Sequence, residues 1–234
     1  MSYNKRHDGR NPDELRPIEA KVGVIKNAEG SAYFKIVNTW AYAAVYGPRN
    51  LYPKFLQDPG KGILRCIYNM MPFSGSGERV RPGQSRRSKE ISMVTESALS
   101  PVLDLTEYPN SVVDVFIEFP QTEAGSRCAG ICAASMALAD AGLLMKDLVS
   151  AVSVGRVDNM LLVDLDYAEE AFEDIPVADI PMAIINRTKE ITLLQMDGII
   201  SKDMLFKAIE QGKKACEQIY EAQKKALKEK YMSD

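Results

Sequence analysis

The sequence predicts an α+β fold, in which strands and helices follow one another without a regular strand–helix–strand alternation. Four strand patterns precede the first helix pattern, and the later helix patterns are separated first by one strand and then by four. The chain contains no internal repeat, low-complexity linker or break in composition. We therefore predict a flexible N-terminal arm over residues 1–18 and a single domain over residues 19–234, built from mixed sheets packed with helices.

Size, charge and histidine content narrow the function. The 234 residues, 46% of them hydrophobic, suffice for a sizeable core. The formal net charge is −3, so a bound polyanion would need positive charge gathered at one site. The one histidine, His7, lies in the polar N-terminal stretch, which excludes a Ser-His-Asp triad or a His-rich metal centre in the body of the fold.

Cysteine spacing and hydropathy indicate the compartment. The four cysteines form no CxxC pair and lie in apolar stretches, which is typical of buried free thiols. The polar N-terminal stretch is not a signal peptide, and no window reaches the ~18 apolar residues of a membrane helix. We therefore expect a cytoplasmic protein without membrane contact.

The first part of the domain is rich in strand patterns. Runs of apolar, β-branched and aromatic residues predict strands over 19–27, 30–37, 39–46 and 62–71. Glycine, proline and mixed charge predict a loop over 74–85. This loop leads directly into the first helix.

Helix patterns begin after that loop. Apolar spacing predicts a helix from Ser85 to about Leu103, and β-branched residues predict a strand over 111–119. Small apolar residues predict a second helix over 126–141 that is buried on most sides. Four strands and a last helix complete the prediction, over 150–155, 159–165, 180–186 and 190–196 and from the N-cap Ser201 onwards.

Arginine stands at the N-terminus of both internal helices. Residues 85–87 (Ser-Arg-Arg) open the first, and residues 125–127 (Gly-Ser-Arg) open the second. Arginine at a helix N-terminus is unfavourable by about 0.3–1 kcal/mol, because that end carries partial positive charge. An anion bound between the two helices would make these arginine positions favourable. Backbone amides, guanidinium groups and the Ser126 hydroxyl would hold the anion. Solvated arginines paired with glutamates such as Glu90 are the alternative.

An acidic stretch over 164–179 is the third feature. Its carboxylates are Asp164, Asp166, Glu169, Glu170, Glu173, Asp174 and Asp179. Asp179 directly precedes an apolar strand, so we expect it on a rigid element. A carboxylate pair there would bind Mg²⁺ or donate a proton, and a solvated acidic loop is the alternative. A site that combines arginines for binding an anion with carboxylates is suited to phosphoryl transfer. This combination does not identify the substrate.

A series of motifs, in the same order along the chain, resembles the RNase PH family and within it the catalytic ring subunits of archaeal exosomes. The similarity extends over about residues 8–231, nearly the whole chain. The motifs are DGRNPDELRPI (8–18), GSAYFKIVNT (30–39), AAVYGPR (43–49), LRCIYNMMPFS (64–74), RRSKEIS (86–92), VDVFIE (113–118), GSRCAGICAASMALADAG (125–142) and EITLLQMDG (190–198). The resemblance implies the RNase PH-like fold.

The resemblance also implies a reaction. In that family inorganic phosphate, as co-substrate, attacks the last phosphodiester of an RNA 3′ end and releases a nucleoside diphosphate; the reverse reaction adds 3′ tails. The matching phosphate ligands in this sequence are Arg87, Gly125, Ser126 and Arg127. Arg86 and, more weakly, Arg65 match RNA-binding positions. Asp179 matches an active-site aspartate that serves in acid catalysis or binds Mg²⁺, the expected metal.

The acidic stretch departs from the family pattern. The family usually has a second aspartate at the position that Glu173 occupies, and the stretch is longer than usual here. We expect Glu173 or Asp174 to act with Asp179 as the catalytic carboxylates, with Glu170 as a further alternative. The longer stretch leaves open which carboxylate reaches the site.

The resemblance finally implies an assembly. We expect a hetero-hexameric ring with a homologous inactive RNase PH-like subunit, RNA-binding cap subunits on one face, and single-stranded RNA as substrate. Two alternatives remain: a catalytically weak ring subunit that threads RNA, and a stand-alone RNase PH that trims RNA 3′ ends.

Overall fold

The computed structural model describes residues 3, 5–76, 79–172 and 175–232. Two sheets contact opposite parts of one buried helix, and further helices pack on their flanks. This arrangement confirms the predicted α+β class with mixed sheets. Most buried apolar side chains from both sheets and from the helices form one continuous cluster, and Val157, Leu162 and Leu165 form a second, smaller one.

The first sheet contains the strands of the first half of the chain. They are β1 (Ile18–Val22), β2 (Gly30–Ile36), β3 (Thr39–Asn50), β4 (Ile63–Met70) and β5 (Ser111–Gln121). Their spatial order is β1-β2-β3-β5-β4. Every pair is antiparallel except β4 and β5, which run parallel because the first helix connects them.

The second sheet follows in the second half. Its strands are β6 (Val149–Val157), β7 (Met160–Val163), β8 (Val177–Ile185), β9 (Ile191–Leu194) and β10 (Asp197–Gly198). All pairs are antiparallel, and β8 lies between β6 on one side and β9 with β10 on the other. The short β10 sets Asp197 directly opposite Asp179 of β8.

The described part of the chain contains four α-helices: α1 (Arg86–Leu99), α2 (Ser126–Asp140), α3 (Tyr167–Glu170) and α4 (Lys202–Met232). Short 3₁₀ turns lie at Lys54–Leu56, Ser100–Val102 and Leu105–Glu107. Among the described residues, none of the helices is both long and apolar enough to span a membrane. The four cysteines are buried free thiols, as the sequence predicted.

The predicted strands and helices are confirmed in type and order, but several of their ends differ; the third strand, for example, extends to Asn50 rather than to residue 46. The first strand ends at Val22 rather than at residue 27, because Gly23 takes a left-handed conformation (φ +70°) and turns the chain. The first helix ends at Leu99, and Pro101 lies at the start of the 3₁₀ turn that follows, where its lack of a backbone N–H is tolerated. Two short elements, α3 and β10, were not predicted.

The small residues of α2 allow it to lie between the sheets. This helix contacts β2 and β3 of the first sheet and β6 of the second, and most of its residues are buried. A Cβ on Gly130 would come within 3.3 Å of the Phe119 ring and 3.4 Å of Ile117. Larger residues would push the sheets apart, so the Ala-rich sequence sets their spacing.

Buried ion pairs attach the N-terminal segment to the second sheet. Arg6, 2% exposed, donates to both carboxylate oxygens of Glu169 at 2.8 and 2.7 Å. Arg16, 5% exposed, donates to both oxygens of Asp164 at 2.9 and 2.8 Å. Two-pronged bonds of this kind fix orientation as well as charge. The expectation of a flexible arm over 1–18 is therefore corrected for residues 5–17.

We predict that Arg16→Ala lowers the free energy of unfolding by about 3–5 kcal/mol, because the buried Asp164 would lose both guanidinium hydrogen bonds and keep only a long 3.7 Å contact with Arg10 and the backbone amide of residue 16. Urea titration of the purified chain measures this. Lys21→Ala is the matched control: Lys21 pairs with Glu19 at 2.7 Å on the surface, so its loss should leave the unfolding midpoint unchanged. Equal, small effects of the two substitutions would contradict the structural role of the buried pair.

Candidate functional site

Two clefts meet at the N-terminal ends of α1 and α2. One has a volume of about 470 Å³ and extends along β4 towards α3. The other, of about 510 Å³, extends over α2 to β8 and β10. Arg87, Ser126 and Glu170 line both clefts, so they mark the junction. A ligand at this junction would touch both helix ends.

Local capping places Arg87 at the junction. Ser85 caps α1: its hydroxyl accepts from the Ser88 amide at 3.0 Å, and the Ser88 hydroxyl accepts from the Ser85 amide at 2.8 Å. This reciprocal cap starts the helix at Arg86. Arg87 forms no ion pair with any residue that the structure describes, and Arg86 lines neither cleft.

Gly125 gives α2 its open N-terminus. Its backbone is left-handed (φ +70°), a conformation that favours glycine, and it offers no capping side chain. The first amides of α2 are therefore free to bind an anion in the cleft. The buried Tyr68 hydroxyl donates to Ser126 Oγ at 2.9 Å, which orients the serine at this end of the helix.

Arg127 faces the second cleft from the first turn of α2. Its Nη2 lies 3.6 Å from Glu90 Oε1, so the alternative pairing with Glu90 is present as a long contact. Its Nε is buried without a hydrogen-bond partner among the described residues. An unpaired buried donor beside open helix amides favours an anionic ligand, because the ligand would satisfy both.

The acidic side of the second cleft is built on strands. Asp179 lies on β8, as expected of a rigid element, and accepts a hydrogen bond from the Ser153 hydroxyl of β6. Burial raises the pKa of Asp179, while the Ser153 bond and the Arg127 charge lower it. Asp197 lines the cleft from β10, and its charge raises the pKa of Asp179 further.

Glu170, the last residue of α3, contributes a second carboxyl group. Burial raises its pKa to about 8, the Asp179 charge adds to the rise, and the charges of Arg16 and Arg87 oppose it. The alternative named for the second carboxylate is therefore in the cleft. Glu173 and Asp174, the other two candidates, lie outside the described residues.

The rest of the acidic stretch is used in the fold. Asp164 and Glu169 pair with the arm arginines, and Asp166 caps α3 by accepting from the Glu169 amide at 3.0 Å. His7, Asp166 and Glu169 lie close enough for a metal ion, but Arg6 holds both oxygens of Glu169. This group is a buried ion-pair network rather than a solvated loop or a metal centre.

The predicted site residues thus divide into two groups. Arg87, Gly125, Ser126, Arg127 and Asp179 line the second cleft together. Arg65 lies away from both clefts on β4 and donates to Asp114 at 2.6 and 2.9 Å. Sequence reasoning missed Tyr68, Ser153, Gln195 and Asp197, whose part in the site depends on contacts between elements far apart in sequence.

The chain is similar in sequence to a known protein family and to known individual proteins. Residues 14–143 match the first domain of the 3′ exoribonuclease (RNase PH) family, and residues 147–215 match the second. The chain is 50% identical over 228 residues to the exosome complex component Rrp41 of Thermococcus kodakarensis, covering 97% of this chain and 90% of that protein. The Rrp41 component of Methanopyrus kandleri is 46% identical over 229 residues, covering 98% and 94%.

Two solved structures have a similar fold. Rice Rrp46 superposes with a TM-score of 0.82 at 26% identity, covering 95% of this chain and all of that one. A chain of the Archaeoglobus fulgidus exosome with RNA bound to the active site gives a TM-score of 0.77 at 23% identity, covering 93% and 92%. At this identity the second likeness concerns the fold alone.

The raised pKa of Glu170 predicts a pH-dependent effect of Glu170→Gln on stability. From its ordinary value of 4.5 to about 8, the unfolded chain releases the Glu170 proton while the folded chain retains it. The glutamate therefore destabilises the fold increasingly as pH rises through this window. Relative to wild type, Glu170→Gln should gain on the order of 1–4 kcal/mol at pH 8 and much less at pH 5. Denaturant unfolding at both pH values checks this, and a pH-independent difference would contradict it.

Proposed function

Because the chain belongs to the RNase PH family of 3′ exoribonucleases, we propose that it is the phosphorolytic 3′→5′ exoribonuclease subunit of an exosome-type complex. The observation that carries this proposal is the meeting of Arg87, Ser126, Arg127 and Asp179 in one cleft at two helix N-termini. The α+β, RNase PH-like fold expected from the resemblance is confirmed.

Inorganic phosphate is the nucleophile in this proposal. The Arg87 and Arg127 guanidinium groups, the Ser126 hydroxyl and the first amides of α2 hold it. A phosphate oxygen attacks the phosphorus of the last RNA phosphodiester, and the bond from that phosphorus to the 3′ oxygen of the preceding ribose breaks. The products are a nucleoside diphosphate and RNA shortened by one residue. Positioning and charge neutralisation supply most of the catalysis in such a reaction.

The nucleophile needs no base from the protein, which suits a chain whose one histidine lies in the N-terminal segment. Carboxylate oxygens are the ligands that Mg²⁺ prefers, and Asp179 and Asp197 face each other across β8 and β10 in the cleft. This donor set fits Mg²⁺, which would neutralise developing charge on phosphate oxygens. Asp179 would be its main protein ligand.

RNA contacts extend beyond the phosphate ligands. Arg86 follows the Ser85 cap and lies beside Arg87, so it can bind the RNA backbone next to the cleft. Arg65 is a weaker candidate, because Asp114 already neutralises it. Single-stranded RNA is the proposed substrate, since a terminal phosphodiester must enter the cleft.

The assembly is proposed from the relatives. The curated relatives described above are named as exosome complex components, which supports a role within a complex. We infer a hetero-hexameric ring with a homologous inactive RNase PH-like subunit and RNA-binding cap subunits, acting in the cytoplasm. A catalytically weak, RNA-threading subunit is the second candidate, favoured by glutamate at position 173 where the family has aspartate.

The proposed activity predicts phosphate-dependent RNA degradation. The chain, assembled with its ring partner in Mg²⁺, should release nucleoside diphosphates only when inorganic phosphate is present. Chromatography of the products checks this. Bound RNA without degradation would favour the RNA-threading candidate, and release of nucleoside monophosphates without phosphate would contradict phosphorolysis.

Arg127→Ala should raise the KM for phosphate at least about tenfold, because a charge-assisted bond to a bound anion is lost. Its unfolding free energy should stay close to that of wild type. Arg49→Ala is the matched control, since Arg49 pairs with Glu29 at 2.8 Å on an exposed part of β3. An unchanged phosphate KM in Arg127→Ala would overturn the phosphate-ligand assignment.

A further inference from the structure

The end of α3 lies at the centre of the site. Among the described residues, Glu170, Arg87 and Ser126 are the three that line both clefts. An anion bound by Arg87 and Ser126 would therefore have the Glu170 carboxyl group as a neighbour. Asp179, by contrast, lines the second cleft only.

The short helix holds Glu170 in this position. Asp166 caps α3 and Glu169 completes the reciprocal cap, with the Asp166 amide donating to Glu169 at 3.1 Å. Glu169 is fully buried and held by Arg6, whereas Glu170, the next residue, lines the clefts. Glu169 attaches α3 to the N-terminal arm, and Glu170 reaches the clefts.

The surroundings of Glu170 favour a neutral carboxyl group. Burial, the Asp179 charge on β8 and a smaller effect of Asp166 raise the pKa of Glu170, which is about 8. The charges of Arg16 in the arm and Arg87 in α1 oppose this rise. A protonated carboxyl can lie beside a bound phosphate without repulsion and can donate a proton. The carboxyl groups of Glu170 and Asp179 thus have different surroundings, because Asp179 accepts a hydrogen bond from Ser153 and Glu170 does not.

We propose that Glu170 is a catalytic residue of this chain and donates the proton that the leaving 3′ oxygen of the RNA requires. This inference rests on the proposed phosphorolytic function. It assigns the acid to the end of α3, nine positions before Asp179 in the sequence. Asp179 is then free to act as a carboxylate.

The proton transfers of this step balance without a further reagent. The bond from a hydrogen phosphate oxygen to phosphorus forms as the bond from phosphorus to the 3′ oxygen breaks. Glu170 gives its proton to the departing oxygen, which becomes the new 3′ hydroxyl group of the RNA. The proton lost by the attacking hydrogen phosphate restores the carboxyl group.

A bridging sulfur substrate tests the proton donor directly. In this RNA the 3′ oxygen of the last phosphodiester is replaced by sulfur, which leaves as a thiolate because thiols have a pKa near 8.5. Glu170→Gln, in the ring complex with Mg²⁺, should lose about 10²–10⁴-fold in kcat on normal RNA. On the sulfur substrate its kcat should come within a few fold of the wild-type value, and its KM for phosphate should stay near wild type on both.

Matched variants separate proton donation from other roles. Arg127→Ala should be impaired on both substrates, because phosphate binding is needed whatever the leaving group. Glu221→Gln is the matched control: Glu221 lies on the exposed surface of α4 and pairs with Lys224, so its loss should leave the wild-type kcat on normal RNA unchanged. Glu170→Asp should recover part of the kcat that Glu170→Gln loses, since it restores a carboxyl group.

Three results would overturn the assignment of Glu170. These are a Glu170→Gln kcat close to wild type on normal RNA, an equal loss on both substrates, or a sulfur-rescued loss in Glu173→Gln or Asp174→Asn instead. Failure of the proposed function gives a different result: the wild-type complex would release no nucleoside diphosphate from normal RNA.

Discussion

The buried pairing of arm arginines with carboxylates at the end of the second sheet holds the rest of the site in place. Arg16 connects two parts of the site: it binds Asp164 through both oxygens, and its Nη2 lies 3.5 Å from the Ala124 carbonyl just before α2. Arg6 fixes Glu169 and with it α3. Because a charge removed from water must be matched by geometry, these pairs define the positions of α2 and α3 relative to each other. The N-terminal segment is therefore a part of the site's frame.

The position of α2 between the sheets turns this frame into a binding site. Its small residues let both sheets approach, and its open N-terminus points into the junction of the clefts. Positive potential from the helix end and from Arg87 and Arg127 lies on one side, and the carboxyl groups of β8, β10 and α3 lie on the other. This division of charge lets a small chain with a net charge of −3 act on a polyanion at one place.

Sequence patterns predicted most of the fold, because its long strands and helices have strong periodicity. The helix N-terminal arginines could also be predicted, since their unfavourable position called for a ligand. The second carboxyl group could not be fixed from the sequence. The stretch from Asp164 to Asp179 contains seven acidic residues, both ends included. Only the pairing with Arg6 and Arg16 distinguishes the carboxylates used in the fold from those that reach the cleft. The two-residue β10 escaped prediction because it is defined by its partner β8 rather than by its own pattern.

The fate of the phosphate oxygens tests the central claim most directly. RNA is degraded by the ring complex in inorganic phosphate labelled with ¹⁸O, and the released nucleotides are analysed by mass spectrometry. If the cleft holds phosphate as the nucleophile, the label appears in the β-phosphoryl group of nucleoside diphosphates. Unlabelled nucleoside monophosphates as the product would mean that water is the nucleophile, and the assignment of the cleft would be wrong.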